Sequence, residues 1–162
     1  MRIFQTITFN ATSSLTENRT WYNNLYEPLI DMGHDVFLFP ADEGRKAMLK
    51  SSSYLKDKFS DKLINIFVHE HKRKAFNLFF SYLCDGMIDS FVIDKISEMG
   101  VITCNFSCNN THQFELVKGI SPHYNINLHS EKDSEYKFKS IGASPLWWPM
   151  ASNPNYYFPK KL

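Results

Sequence analysis

The sequence predicts an α/β domain built on a mainly parallel sheet, and three observations predict it. Short runs rich in β-branched and aromatic residues recur along the chain: Ile3 to Phe9, His34 to Phe39, Asn77 to Leu83, Val101 to Phe106 and Tyr124 to Leu128. Amphipathic or charged stretches of helical period lie between them. Glycines close two of those stretches, Gly33 and Gly100, where a helix usually gives way to the next strand. Alternation of this kind demands right-handed crossovers with helices on both faces, a three-layer Rossmann-like arrangement.

In chain order, Ile3 to Phe9 reads as the first strand. The stretch 10–19 is polar and lacks glycine, so it offers no close backbone cradle for a dinucleotide or a nucleotide phosphate. Thr20 to Met32 reads as a helix with Thr20 as N-cap. Trp21, Leu25, Pro28, Leu29 and Met32 share one face, and Pro28 predicts a kink or break. His34 to Phe39 is the second strand, stopped by Pro40. Residues 41–75 read as charged helix with a buried stripe of Phe59, Leu63, Ile66 and Phe67. Nine Lys and Arg stand against five Asp and Glu there, which predicts a solvated outer face. Asn77 to Leu83 is the third strand, with Cys84-Asp85-Gly86 as its exit. Ile88, Phe91, Val92, Ile96 and Met99 mark the next helix. Val101 to Phe106 is the fourth strand, followed by a short helix over 113–118. Tyr124 to Leu128 is the fifth, Glu131 to Ser140 a charged helix, and Ser144 to Pro149 a short sixth strand. The domain thus spans 1–149, with 150–162 as a tail without periodicity.

The stretch from Val101 to His112 organises this reading. A buried strand discharges a polar loop, Ser107-Cys108-Asn109-Asn110-Thr111-His112, into a helix start. Open α/β sheets place their ligands at such strand exits. In the common order 3-2-1-4-5-6 the first and fourth strands are neighbours, so the loops 10–19 and 107–112 are expected to face each other across a cleft.

Composition excludes several function classes. The chain has 162 residues and a net charge of +1, so the overall balance calls for neither nucleic acid nor an anionic membrane. Its three cysteines do not read as a disulfide framework. The N-terminus has no h-region of a signal peptide, and no apolar run reaches the ~18 residues of a membrane span. A cytoplasmic protein is expected. Cys104, Cys108 and His112 stand four apart, but a strand does not converge that spacing, so no metal site is expected. His69-Glu70-His71 reads as a solvated helix face.

Several segments carry a family resemblance. Arg19-Thr20-Trp21, Asn24-Leu25 and Gly33-His34-Asp35-Val36 resemble the opening of many GT-B glycosyltransferases. Met99-Gly100-Val101 with Asn105-Phe106 resembles their strand four. Gly142-Ala143-Ser144, then Trp148-Pro149-Met150-Ala151-Ser152-Asn153-Pro154 and Phe158-Pro159, resemble their "lGa…lPmaanp…f-p" segment. Together these look like the N-terminal half of the spore-maturation (CgeB-like) group. The resemblance implies half of a GT-B fold, which usually binds the acceptor. A missing C-terminal domain would hold a nucleotide-sugar donor, and the half seen here would bind no cofactor or metal of its own. The expected partner is an acceptor glycan or other hydroxyl-bearing small molecule, with no transfer by this half alone. The group's acidic residue after strand four is replaced here by Ser107-Cys108-Asn109-Asn110.

Within that frame Asp85 and His112 are the candidate catalytic bases for an acceptor hydroxyl. Asp85 also suits a turn before Gly86, and His112 a surface helix start. Asn10, Arg19, Asn109 and Asn110 are candidate acceptor-binding residues, although the asparagine pair also suits a helix cap. Trp21 reads as core more than as a stacking surface. Met150 and Asn153 belong to the interdomain or cleft segment, and the aromatic tail makes a homodimer a candidate assembly. The alternative reading is a non-catalytic binding, regulatory or protein-interaction domain.

Overall fold

The computed structural model describes residues 1–8 and 20–157. They form one six-stranded sheet, all parallel, with helices on both faces. The strands are β1 (Arg2–Ile7), β2 (Asp35–Pro40), β3 (Leu78–Ser81), β4 (Ile102–Ser107), β5 (Ile126–His129) and β6 (Pro145–Trp147). The helices are α1 (Glu27–Asp31), α2 (Asp42–Leu49), α3 (Ser53–Arg73), α4 (Ser90–Glu98), α5 (Asn110–Gln113) and α6 (Glu135–Ser140). This is the three-layer Rossmann-like arrangement that the alternation predicts.

The strand order corrects one expectation. It is β2-β1-β3-β4-β5-β6, not 3-2-1-4-5-6, so β1 neighbours β3 and not β4. The physical reason is in the composition of the strands. β3 is buried on both faces, with Phe79 at 0% and Phe80 at 6% exposure, as a central strand must be. β2 has a half-exposed pattern and ends on Pro40, which suits an edge. The segment between β2 and β3 folds into α2 and α3 and supplies no strand to lie beyond β2. The order therefore reverses between β1 and β3.

One face of the sheet carries the larger core. Phe4 on β1 stacks on Phe37 at 5.2 Å and meets Phe67 at 5.1 Å and Phe76 at 5.4 Å. The α3 stripe holds, with Phe59, Leu63 and Phe67 buried against this face beside Val92, Ile93 and Ile96 of α4. Gly44 of α2 sits so close to α3 that a Cβ there would lie 2.8 Å from the Phe59 ring. Ile3, Ile7, Phe80, Cys104 and Phe106 face the other way, onto Leu25 and Trp21.

Pro28 breaks its helix as expected. Tyr22–Tyr26 form a π turn, closed by a Glu27 N–H to Tyr22 carbonyl bond, and α1 restarts with Pro28 in its first turn. The buried Gln5 amide on β1 donates to the Leu25 carbonyl inside that turn at 2.9 Å. Thr20 is itself helical rather than a cap.

Past β3 the strand residues on the large-core side turn polar, and each ties down a connection. Asn105 donates to the Leu83 carbonyl at 3.1 Å and accepts from the Leu83 N–H at 3.0 Å. Thr103 exchanges hydrogen bonds with Asn125, and Asn127 donates to the Ser121 carbonyl at 2.9 Å. Irregular connections cannot satisfy their own backbone groups, so buried side chains from the strands do it.

Candidate functional site

A cleft of about 330 Å³ opens at the C-terminal edge of the sheet, where the strand order reverses. Ligands of open α/β sheets bind at this place. Its walls come from the exits of β1 (Thr8), β3 (Tyr82, Leu83, Cys84) and β4 (Ser107, Cys108), from α2 (Arg45, Met48) and from α5 (Asn110, Gln113), with Trp21 at one side.

Among the described residues, the chemistry of this lining is neutral hydrogen bonding around the Arg45 guanidinium. Tyr82 Oη lies 3.3 Å from Cys108 Sγ, and burial, followed by that contact, holds the phenol well above its usual range. Burial pushes the Cys84 thiol up to about 11, and its Sγ rests 3.1 Å from Met48 Sδ. Neither group ionises near neutral pH, so neither serves as a nucleophile there. Arg45 brings the positive charge, beside hydroxyl and amide groups from Thr8, Ser107, Asn110 and Gln113. Such a set holds a ligand rich in hydroxyls or carrying an anionic group.

No family model, no curated protein and no solved structure matches this chain.

The residues expected at the site separate into groups. Asn110 lines the cleft; it is buried, and its amide donates to the Ser107 carbonyl at 3.2 Å. Asn109 precedes α5 in the left-handed conformation (φ 58°), which asparagine tolerates better than most residues. Its side chain makes no cap bond. The start of α5 is capped instead by Glu131 from the β5 exit, whose carboxylate accepts from the N–H groups of Asn110 and Thr111. A carboxylate thus does reach the loop after β4, but it comes from elsewhere in the chain and is engaged with backbone. Asn10 and Arg19 lie outside the described residues.

Asp85 and His112 do not line the cleft. Asp85 accepts from the N–H groups of Gly119 at 2.8 Å and Ile120 at 2.9 Å, and its own N–H donates to the Leu116 carbonyl. It ties the β3 exit to the turn after α5. Gly119 permits this close approach: a Cβ there would lie 2.9 Å from Asp85 Oδ2, and the carboxylate would have to shift. His112 is exposed and borders a separate depression with Glu115, Lys118 and Lys137.

Burial raises the Asp85 pKa above 3.8, and the two amide bonds only partly offset it. A carboxyl with a raised folded pKa contributes stability that is fully present below 3.8 and is lost as pH rises through the folded value. The stability of the wild type relative to Asp85→Asn is therefore expected to grow on acidification through that window. Urea unfolding of both proteins between neutral pH and the acid range measures it. A difference that shrinks on acidification would mean that the amide bonds outweigh desolvation.

Asn153 is buried and clamps the tail. Its N–H donates to Asn24 Oδ1 at 2.6 Å and its amide to the Asn23 carbonyl at 2.8 Å. Met150 is exposed on a second, apolar cavity beside the cleft. Trp21 packs on Tyr82 with ring centroids 4.5 Å apart and borders both cavities.

Sequence reasoning missed Arg45, Tyr82 and Gln113. Arg45 was expected on a solvated face, yet it is half-buried at the cleft. Its signal was its place in the first turns after Pro40, the end of a strand whose C-terminal edge borders the site. Among the described residues no group of three or more His, Cys, Asp or Glu stands together as a metal site, and no helix is long and apolar enough to cross a membrane.

Proposed function

We propose that this chain is the acceptor-binding half of a cytoplasmic GT-B-type glycosyltransferase of the CgeB-like group. The observation that carries this reading is the cleft at the strand-order reversal, lined by hydroxyl and amide groups around Arg45. The order β2-β1-β3-β4-β5-β6 differs from 3-2-1-4-5-6 by the loss of the edge strand beyond β2 and one more strand at the opposite edge, and the reversal stays beside β1. An acceptor hydroxyl would sit among Thr8, Ser107, Asn110 and Gln113, with Arg45 on an anionic group of the acceptor or of the departing diphosphate. The nucleotide-sugar donor would be held by a second domain. Asp85, bound by two backbone amides, and His112, on another surface, would have to move to accept the proton. A base from the donor side fits this geometry better.

The same lining favours a second reading, a binding module without chemistry, because its described polar groups can hold a ligand while the Tyr82 phenol and the Cys84 thiol stay protonated near neutral pH.

The test is a saccharide and sugar-phosphate panel titrated into isotope-labelled protein, followed by amide shifts. Ligands are expected to move Ser107, Cys108 and Gln113 together. Arg45→Gln or Gln113→Ala should weaken the binding about tenfold, the effect of one lost charge-assisted or multiple hydrogen bond. No saccharide or sugar phosphate moving these amides would sink the acceptor reading. Binding without any transfer, in the presence of a donor domain and nucleotide sugars, would favour the binding module.

A further inference from the structure

The apolar cavity next to the cleft has a volume of about 450 Å³, within the range of small-molecule sites. Trp21, Leu25, Pro28, Phe106, Trp148 and Met150 line it. It adjoins the cleft, and Trp21 borders both. A wall of rings runs from one to the other. Tyr82 and Trp21 are 4.5 Å apart, Trp21 and Phe106 6.1 Å, and Phe106 and Trp148 5.3 Å. Trp148 and Met150 remain 39% and 57% exposed, although the segment that bears them is held in place by the Asn153 clamp and by a Tyr156 hydroxyl bond to Glu27 at 2.9 Å. A prearranged groove of this kind costs little ordering on binding.

We propose that the acceptor is amphipathic, with its hydroxyl-bearing head in the cleft and a hydrocarbon aglycone in this groove. The inference rests on the acceptor reading and adds a substrate class to it. A purely polar acceptor would fill the cleft and leave the adjoining aromatic wall in water, whereas a hydrocarbon continuing from the head would cover it. Trp21 is the hinge of the two subsites, its ring against Tyr82 on the polar side and against Phe106 on the apolar side.

The experiment compares methyl and octyl β-glucoside, both below micelle formation, by tryptophan fluorescence and by amide and indole shifts. Octyl glucoside is expected to bind at least tenfold tighter, moving the Trp148 indole and Phe106 together with Ser107 and Gln113. Met150→Asp, an exposed position that tolerates charge, should cut that advantage at least fivefold, with thermal unfolding as the check on folding. Trp148→Ala should cut it as well.

Equal binding of the two glucosides at Ser107 and Gln113 would overturn the amphipathic acceptor and leave the acceptor reading standing. Octyl binding that moves Trp148 but neither Ser107 nor Gln113 would also overturn it. So would an advantage that survives both substitutions. Alkyl binding that emerges only after truncation at Tyr157 would assign the groove to residues 158–162. A concentration-dependent dimer dissolved by Met150→Asp would assign it to a second copy. Failure of every saccharide at the cleft would sink the acceptor reading itself.

Discussion

Replacing Phe4 by alanine is expected to lower the free energy of unfolding by about 3–5 kcal/mol, the range for a fully buried phenylalanine that leaves a cavity. The ring sits at the centre of an aromatic cluster, with Phe37, Phe39, Phe67, Phe76 and Phe79 at centroid distances of 5.1 to 5.9 Å. Those neighbours come from β2, β3, α3 and the connection before β3, so no single element can relax into the hole. Interiors packed at crystal density do not close such voids for free. Phe4→Leu keeps most of the volume and should cost about 1–2 kcal/mol. Urea unfolding of both variants measures the pair. Equal and small losses would mean that the cluster repacks, and that Phe4 is not its centre.

Asn105→Leu is expected to cost about 2–4 kcal/mol, although it exchanges an amide for an apolar group of similar size on a buried strand. Asn105 makes both backbone bonds of Leu83, and its Oδ1 also lies 2.8 Å from the Ser81 hydroxyl. The leucine would leave the Leu83 N–H and C=O buried without partners. Each orphaned group costs about 1–3 kcal/mol, far more than the net worth of one hydrogen bond. Because Leu83 lines the cleft, the same substitution should also disturb the site. The expected signature is a loss of stability together with shifted amides at Tyr82 and Cys84. Ser81→Ala, which leaves the Leu83 bonds in place, should cost only about 1 kcal/mol. Near-equal costs for the two variants would show that the Leu83 connection finds its partners elsewhere.

The pair of predictions separates what each level of description could know. Phe4, Phe59, Leu63 and Phe67 are legible as core because their spacing repeats with the period of the element that carries them, and period is a local property. Pro28 is legible as a break for the same reason: a missing N–H acts within one helical turn. Element types and most boundaries follow, and with them the three-layer class.

Partners across the chain are not local. Nothing in the neighbourhood of Asn105 says that its amide stands in for a ladder beside Leu83, twenty-two residues earlier. Nor does the Glu131 region declare that its carboxylate caps α5. Asp85 reads as a free carboxylate at a strand exit until the turn at Gly119 folds onto it. Arg45 reads as solvated until α2 is placed at the edge of β2. Strand order was decided the same way. The sequence by itself determined the alternation, the helix break and the buried faces, because periodicity and proline chemistry act over a few residues. Only the tertiary structure decided that β3 lies beside β1, and so which exits meet in the cleft, because strand pairing is settled by burial on both faces of the whole sheet.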